Sequence, residues 1–385
     1  MIDTAFPYAQ YVTGKNFVGR RADVTLLGNL LGQGENVLLS EPPKSGKTSL
    51  VQQALFSMRM SGKVFTVGQF SALNIRTPEA FLLRLGNTIL RMVASSPMEY
   101  AALTEKFLGG THFVFDPANY TDEDKILSLN WDLEQADVQA MLRFPYALAQ
   151  DRGARLILII DEFQSLNRLE DPDVILRPLD TCMREMKGNG NLFSWVICGS
   201  GVNAMKAIFQ SSQLFYRQLE RVTLSPVDER EMADHVHKGF LAAGKVVEKE
   251  LLQGACRLFR GHLWYINHFA AICDHMSKGY IVEQALVEAL GMLVSLHEPR
   301  FNAVMADLTT HQVSFLRAVV DGVTRFSAAD IIRKYGLNSS ANVKRVKDAL
   351  MKKEVLVFDE NDNPHIIDPL FEYWIRKYYF ELKEA

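Results

Sequence analysis

Over the first 226 residues, short apolar runs alternate with segments whose apolar positions recur every three to four residues. The runs at 37–40, 64–70, 154–160, 192–198 and 221–224 read as strands. The segments at 22–31, 48–58, 77–94 and 172–187 read as helices, with Thr77 as N-cap and Pro78 in the first turn of the third. The 154–160 run is almost continuously aliphatic, as a parallel strand covered on both faces is. Strands alternating with helices predict a parallel α/β sheet. Residues 95–145 break the rhythm at Ser95-Ser96-Pro97, Gly109-Gly110 and Asp116-Pro117, and read as an insertion of modest order. Within it, Thr121 to Asp124 are expected to cap a helix carrying Trp131 and Leu133.

Beyond residue 226 the pattern changes twice. Residues 228–296 are helical throughout, with breaks at Gly244, Gly261 and Gly279. After Pro299, helices at 310–320, 327–335 and 339–352 precede two short strands at 355–359 and 365–367. Three helices and a hairpin form the winged-helix arrangement. The expected domains are therefore 1–226 (α/β), 227–298 (helical) and 299–385 (winged helix).

Composition narrows the class without naming a partner. The 385 residues are 48% hydrophobic and 23% charged, ordinary for a globular chain. A net charge of −3 gives no global electrostatic case for nucleic acid or membrane. Four cysteines without a C-x-x-C pair read as reduced thiols. Met1-Ile2-Asp3-Thr4 does not open a signal peptide, and the longest aliphatic run is too short to span a bilayer. The expectation is a cytoplasmic protein.

The chemistry concentrates in two places. The 37–40 run breaks at Glu41-Pro42-Pro43, passes through Lys44-Ser45-Gly46 and opens into a helix at Lys47-Thr48-Ser49. Strand, tight loop and helix start are the context of a phosphate-binding loop. Loop N–H groups gather an anion there, Lys47 reaches the β- and γ-phosphates, and Thr48 ligates Mg²⁺. The motif's first glycine is replaced by Glu41. The second place is the end of the buried run, where Asp161 and Glu162 reach the carboxyl edge of the sheet. Asp161 is the expected Mg²⁺ ligand and Glu162 the group that polarises a water for attack on the γ-phosphate. Acids at a strand end also suit a solvated helix start; the two motifs together, in this order, point to a P-loop NTPase.

Ser200, after the fourth strand, is either a polar sensor of the γ-phosphate and attacking water or a helix cap. Arg221 and Arg217 flank the start of the last strand, where a guanidinium serves a γ-phosphate or a surface ion pair.

Phe17-Val18-Gly19-Arg20, the 44–50 loop, the Asp161-Glu162-Phe163-Gln164 ending, Cys198-Gly199-Ser200 and Asp368-Pro369-Leu370-Phe371 after the wing carry a resemblance. Together they resemble the archaeal-type AAA+/STAND P-loop ATPases, similar to the Orc/Cdc6 initiators. The resemblance implies an ASCE/AAA+-like P-loop sheet, a helical lid and a C-terminal winged-helix domain. It places Val18, Gly19 and Arg20 at the adenine, with Lys44, Ser45, Gly46, Lys47, Thr48 and Ser49 around the phosphates. It implies ATP (or ADP) and Mg²⁺ as ligands, and the residues read above leave Glu162, Ser200 and Arg221 as catalytic candidates. The lid segment reads Arg260-Gly261-His262-Leu263-Trp264-Tyr265, with Leu263 where the family has proline.

The expected function is an ATP-driven switch that repositions its winged helix against a protein partner, with oligomerisation open. The alternatives are an ATP-modulated DNA-binding initiator or regulator and a scaffold that holds nucleotide without turnover. Lys344, Arg345, Lys347 and Lys352 suit phosphates, whereas Asp348, Glu354 and the acidic wing tip oppose DNA.

Overall fold

The computed structural model describes residues 5–382 apart from 123, 189, 212 and 213. Glu123 of the expected Thr121–Asp124 cap lies outside the described residues, as does Asn189 of Gly188-Asn189-Gly190, the run expected to end the 172–187 helix. The rest divides into two compact units. One comprises Arg21–Pro43 and Leu50–Leu224; the other comprises Lys44–Ser49, the chain from Ser225 onward, and the chain before Arg21.

The first unit is built on a five-stranded sheet of β1 (Val37–Ser40), β2 (Thr66–Ser71), β3 (Leu156–Asp161), β4 (Phe193–Gly199) and β5 (Glu220–Arg221). Every pairing is parallel, and the spatial order is β2-β3-β4-β1-β5. Parallel strands need crossover connections, which the helices between them supply. Leu156 to Ile160 and all of β4 are buried, in keeping with their unbroken apolar runs. β4 lies between β1 and β3, so Ser40, Gly199 and Asp161 all end on one edge of the sheet.

Helices α1 (Arg21–Gln33), α2 (Lys47–Met60) and α3 (Pro78–Val93) follow the expected pattern, and the Thr77 side chain accepts from Ala80 N as a cap. Residues 95–145 depart from expectation. They form α4 (Pro97–Leu108), opened by a Ser96/Glu99 capping box, an antiparallel hairpin of Phe113–Phe115 and Leu127–Leu129, and the start of α5 (Gln135–Arg152). Tyr100, Leu103, Phe113, Leu127 and Met141 are buried in the same core as β3, so the insertion is ordered by apolar burial. No helix carries Trp131 or Leu133; both precede α5, and Trp131 is 75% exposed. The sheet unit closes with α6 (Asp173–Glu185) and a short α7 (Val202–Lys206).

The second unit holds α8 (Glu229–Ala242), α9 (Lys249–Leu258), α10 (Leu263–Met276) and α11 (Glu283–Ala306), with a parallel strand pair at Val246–Val247 and Tyr280–Ile281. α12 (Thr310–Val320), α13 (Ala329–Tyr335), α14 (Ser340–Lys352) and the antiparallel strands β6 (Leu356–Phe358) and β7 (Pro364–Ile366) form the winged helix, followed by α15 (Pro369–Trp374). The boundary expected at 298/299 falls inside α11, which runs through Pro299. Phe301, two residues further on, packs against Phe371 and Trp374 with tilted rings, centroids 5.5 and 5.6 Å away. The helical residues and the winged helix thus share one apolar core from Val227 to Ile375.

Candidate phosphate-loop site

The loop between β1 and α2 bends where its chemistry allows. Lys44 (φ 60°) and Gly46 (φ 103°) take left-handed backbone conformations, which Gly46 adopts without a Cβ penalty. Glu41 is not among the positive-φ residues, so its position needs no glycine on conformational grounds. Its N–H donates to Gly199 O at 3.3 Å, and its Oε1 accepts from Leu224 N at 3.0 Å. The departure from the motif is thus occupied by a specific structural contact.

Lys47 is buried at the start of α2, and Thr48 and Ser49 are half-buried beside it. Ser49 Oγ accepts from Val12 N at 3.1 Å. The Ser45 hydroxyl is buried without a hydrogen-bond partner among the described residues. Ser45 O accepts from Arg20 Nη1 at 2.8 Å, and Arg20 Nε donates to Ser225 O at 2.9 Å. One guanidinium thereby ties the loop to the chain that follows β5, as a planar fork can. Gly19 precedes it at φ 66°, and a Cβ there would stand 3.0 Å from Val227. Val18 packs on the helical core.

At the end of β3, Asp161 Oδ1 accepts from Glu162 N at 2.9 Å. Glu162 itself is held at φ 54°, a costly conformation for a residue with a Cβ. Ser200 Oγ donates to Glu162 Oε2 at 2.7 Å, and the Gln164 amide donates to the same oxygen and to Ser200 Oγ at 3.4 Å. Of the two readings of Ser200, the contact made here is with Glu162. Gln164 takes no role in the sequence reading; its position two residues past the acid was the available signal. Gly199 is required by this packing, since a Cβ would fall 2.6 Å from Gln164 Oε1 and closer still to Met205.

The two arginines stand apart from this cluster's hydrogen bonds. Arg221 pairs with Leu38 and is exposed, its guanidinium 2.6 Å from the Gln210 amide oxygen when that amide is turned to accept. Arg217 lies over Tyr216, and its carbonyl accepts from the Lys187 ammonium.

In the helical unit, His262 caps α10 and Leu263 is its first residue, the place where proline is tolerated rather than required. Lys44 Nζ sits 3.5 Å over the Trp264 ring, whose Nε1 donates to Tyr8 O at 2.7 Å. Burial and the nearby Arg300 lower the Lys44 pKa, against an opposing pull from Asp368. Tyr265 OH lies 2.8 Å from Asp368 Oδ2, and Arg300 Nη2 donates to both at 2.7 Å. Asp368 also caps α15 through Leu370 N and Phe371 N. His297, packed against Trp264, Tyr265 and His268, is pushed down to about 4 by burial and by Arg300, His268 and Lys44. No cluster of metal-ligating side chains occurs among the described residues, and no helix there is long and apolar enough to cross a membrane.

Residues 299–377 match a family model described as a probable winged helix domain. No curated protein matches the sequence. Among solved structures, a Walker-type ATPase of Pyrococcus abyssi superposes with a TM-score of 0.67 at 17% identity, covering 97% of this chain and 100% of that one. The ORC2 protein of Aeropyrum pernix, solved with ADPNP and ADP, superposes with a TM-score of 0.57 at 13% identity, covering 95% and 93%. The chain has the P-loop ATPase fold: a parallel sheet flanked by helices, with a C-terminal winged-helix domain.

Proposed function

We propose that this protein is an ATP-binding, ATP-hydrolysing switch of the AAA+/STAND type whose nucleotide state governs how its winged helix meets a protein partner. The observation that carries this reading is the loop and helix start at 41–49, with its left-handed turn at Gly46, buried Lys47 and unpartnered Ser45 hydroxyl. These residues suit a polyphosphate, and Val18, Gly19 and Arg20 are the proposed base-side residues. Thr48 and Asp161 are the proposed Mg²⁺ ligands; a bound Mg²⁺ would neutralise charge on the β- and γ-oxygens.

Glu162 is the proposed group that orients the attacking water, with Ser200 and Gln164 fixing the carboxylate through Oε2. A strained, doubly hydrogen-bonded acid at a strand end is the kind of arrangement that catalysis needs and stability does not. Arg221 remains a proposed finger only for a partner subunit, because within the chain it lies against Gln210.

A protein partner is favoured over DNA because two cations of the winged helix are paired with its own acids. Lys347 of α14 is paired with Asp362 of the wing and stacked on Phe358, and Lys353 is paired with Asp307. Cations already neutralised within the chain add little to phosphate binding.

Calorimetric titration with ATP·Mg²⁺ tests the reading. Wild-type protein is expected to bind, Lys47→Ala to lose binding, and Glu162→Gln to bind while losing turnover. Equal binding by Lys47→Ala would overturn the site assignment.

A further inference from the structure

Strand β5 joins the sheet by two regular bonds: Glu220 N donates to Asn36 O at 2.8 Å and Val222 N to Leu38 O at 3.0 Å. A parallel ladder advances two residues per bond, so Ser40 O is the acceptor next in line for Leu224 N. Leu224 N donates to the Glu41 carboxylate at 3.0 Å. On the other side, Glu41 N extends the β1 ladder to Gly199 O at 3.3 Å. Glu41 therefore straddles the end of β1, its backbone bonded to β4 and its side chain to the strand that follows β5. Leu224 is the last residue of the sheet unit, so this bond lies where the chain leaves the sheet.

A carboxylate at the mouth of an anion-binding loop repels the anion, and does so more strongly in a partly desolvated setting. The Leu224 N–H directs that carboxylate along the ladder, toward β5. We infer that Leu224 is a positioning residue for Glu41: its N–H draws the carboxylate along the ladder, and loss of that bond weakens polyphosphate binding at the loop. The inference rests on the nucleotide reading above. It makes Glu41 a conditional gate in a position where glycine would leave the loop always open.

The test is calorimetric titration with ATP·Mg²⁺ of the full chain carrying Leu224→Pro, Glu41→Gln, both, or Glu41→Asp. Proline removes the donor, glutamine removes the charge but can still accept, and aspartate keeps the charge on a stem one methylene too short to reach Leu224 N. Expected are an affinity within about threefold of wild type for Glu41→Gln and a loss of about tenfold or more for Leu224→Pro. Glu41→Asp, which leaves the backbone untouched, is expected to show a similar loss. The double variant Glu41→Gln with Leu224→Pro is expected to return to the Glu41→Gln affinity. The inference is overturned if the Leu224→Pro loss persists undiminished in the Glu41→Gln background, or if Glu41→Asp binds like wild type. A wild-type chain that binds no ATP would instead overturn the nucleotide reading itself, and this inference with it.

Discussion

Ser200 donates a 2.7 Å hydrogen bond to Glu162, across the boundary between the adjacent strands β3 and β4. The contact exists because β3 and β4 are neighbours in parallel register, so residues just past their carboxyl ends meet. Ser200→Ala is expected to leave ATP affinity nearly unchanged and to lower kcat about tenfold, since a hydrogen bond to a charged group is worth about 1.5–3 kcal/mol. Steady-state hydrolysis beside calorimetric affinity checks this. A parallel loss of both would indicate a structural role instead.

Gly199 bears on the same network. A Cβ there meets Gln164 Oε1 at 2.6 Å and presses on Met205. Gly199→Ala is expected to destabilise the protein by about 1–3 kcal/mol through overpacking and to displace the Gln164 amide. Urea unfolding measures the first effect, and kcat at saturating ATP measures the second.

Tyr265, Arg300 and Asp368 join α10, α11 and the start of α15 through one hydroxyl. Tyr265→Phe deletes that hydroxyl and leaves Asp368 and Arg300 with one partner fewer each. A cost of about 1–2 kcal/mol is expected in urea unfolding, without change in the sheet unit. An unchanged midpoint would show that Arg300 and Asp368 suffice alone.

His297 makes stability depend on pH. Its folded pKa, pushed down to about 4, lies below its ordinary 6.5, so the unfolded chain binds the extra proton between those values. The stability it contributes is present above 6.5 and is lost as the pH falls toward 4. His268, lowered in the same direction by burial and Lys44, adds to the slope. Urea midpoints measured from pH 7.5 to 4 should fall less steeply in His297→Asn than in wild type.

Much of the fold was legible along the chain. The aliphatic run ending in Asp161-Glu162, the Gly46-Lys47-Thr48 turn and the Thr77-Pro78 helix start each follow from local rules of burial, backbone freedom and capping. The 95–145 insertion was not legible, because its helices and hairpin are ordered by burial against a core contributed by distant segments. The last strand reads as 221–224 from its apolar run but pairs only at Glu220–Arg221, because Leu224 N goes to a side chain. The helix through Pro299 hid the join between helical segment and winged helix, since proline usually marks an end.

The sequence by itself determined the parallel α/β sheet, the phosphate-loop motif, the paired acids and the winged helix, because periodicity, chain chirality and turn chemistry act over a few residues. Only the tertiary structure decided what Glu41 touches, that Lys44 rests on Trp264, that Gln164 serves Glu162, and that Asp368 answers to Tyr265 and Arg300. The Glu41–Leu224, Lys44–Trp264 and Tyr265–Asp368 contacts join residues more than 100 positions apart, and Ser200 is 38 from Glu162. Such contacts are selected by strand order and packing, which no local pattern encodes.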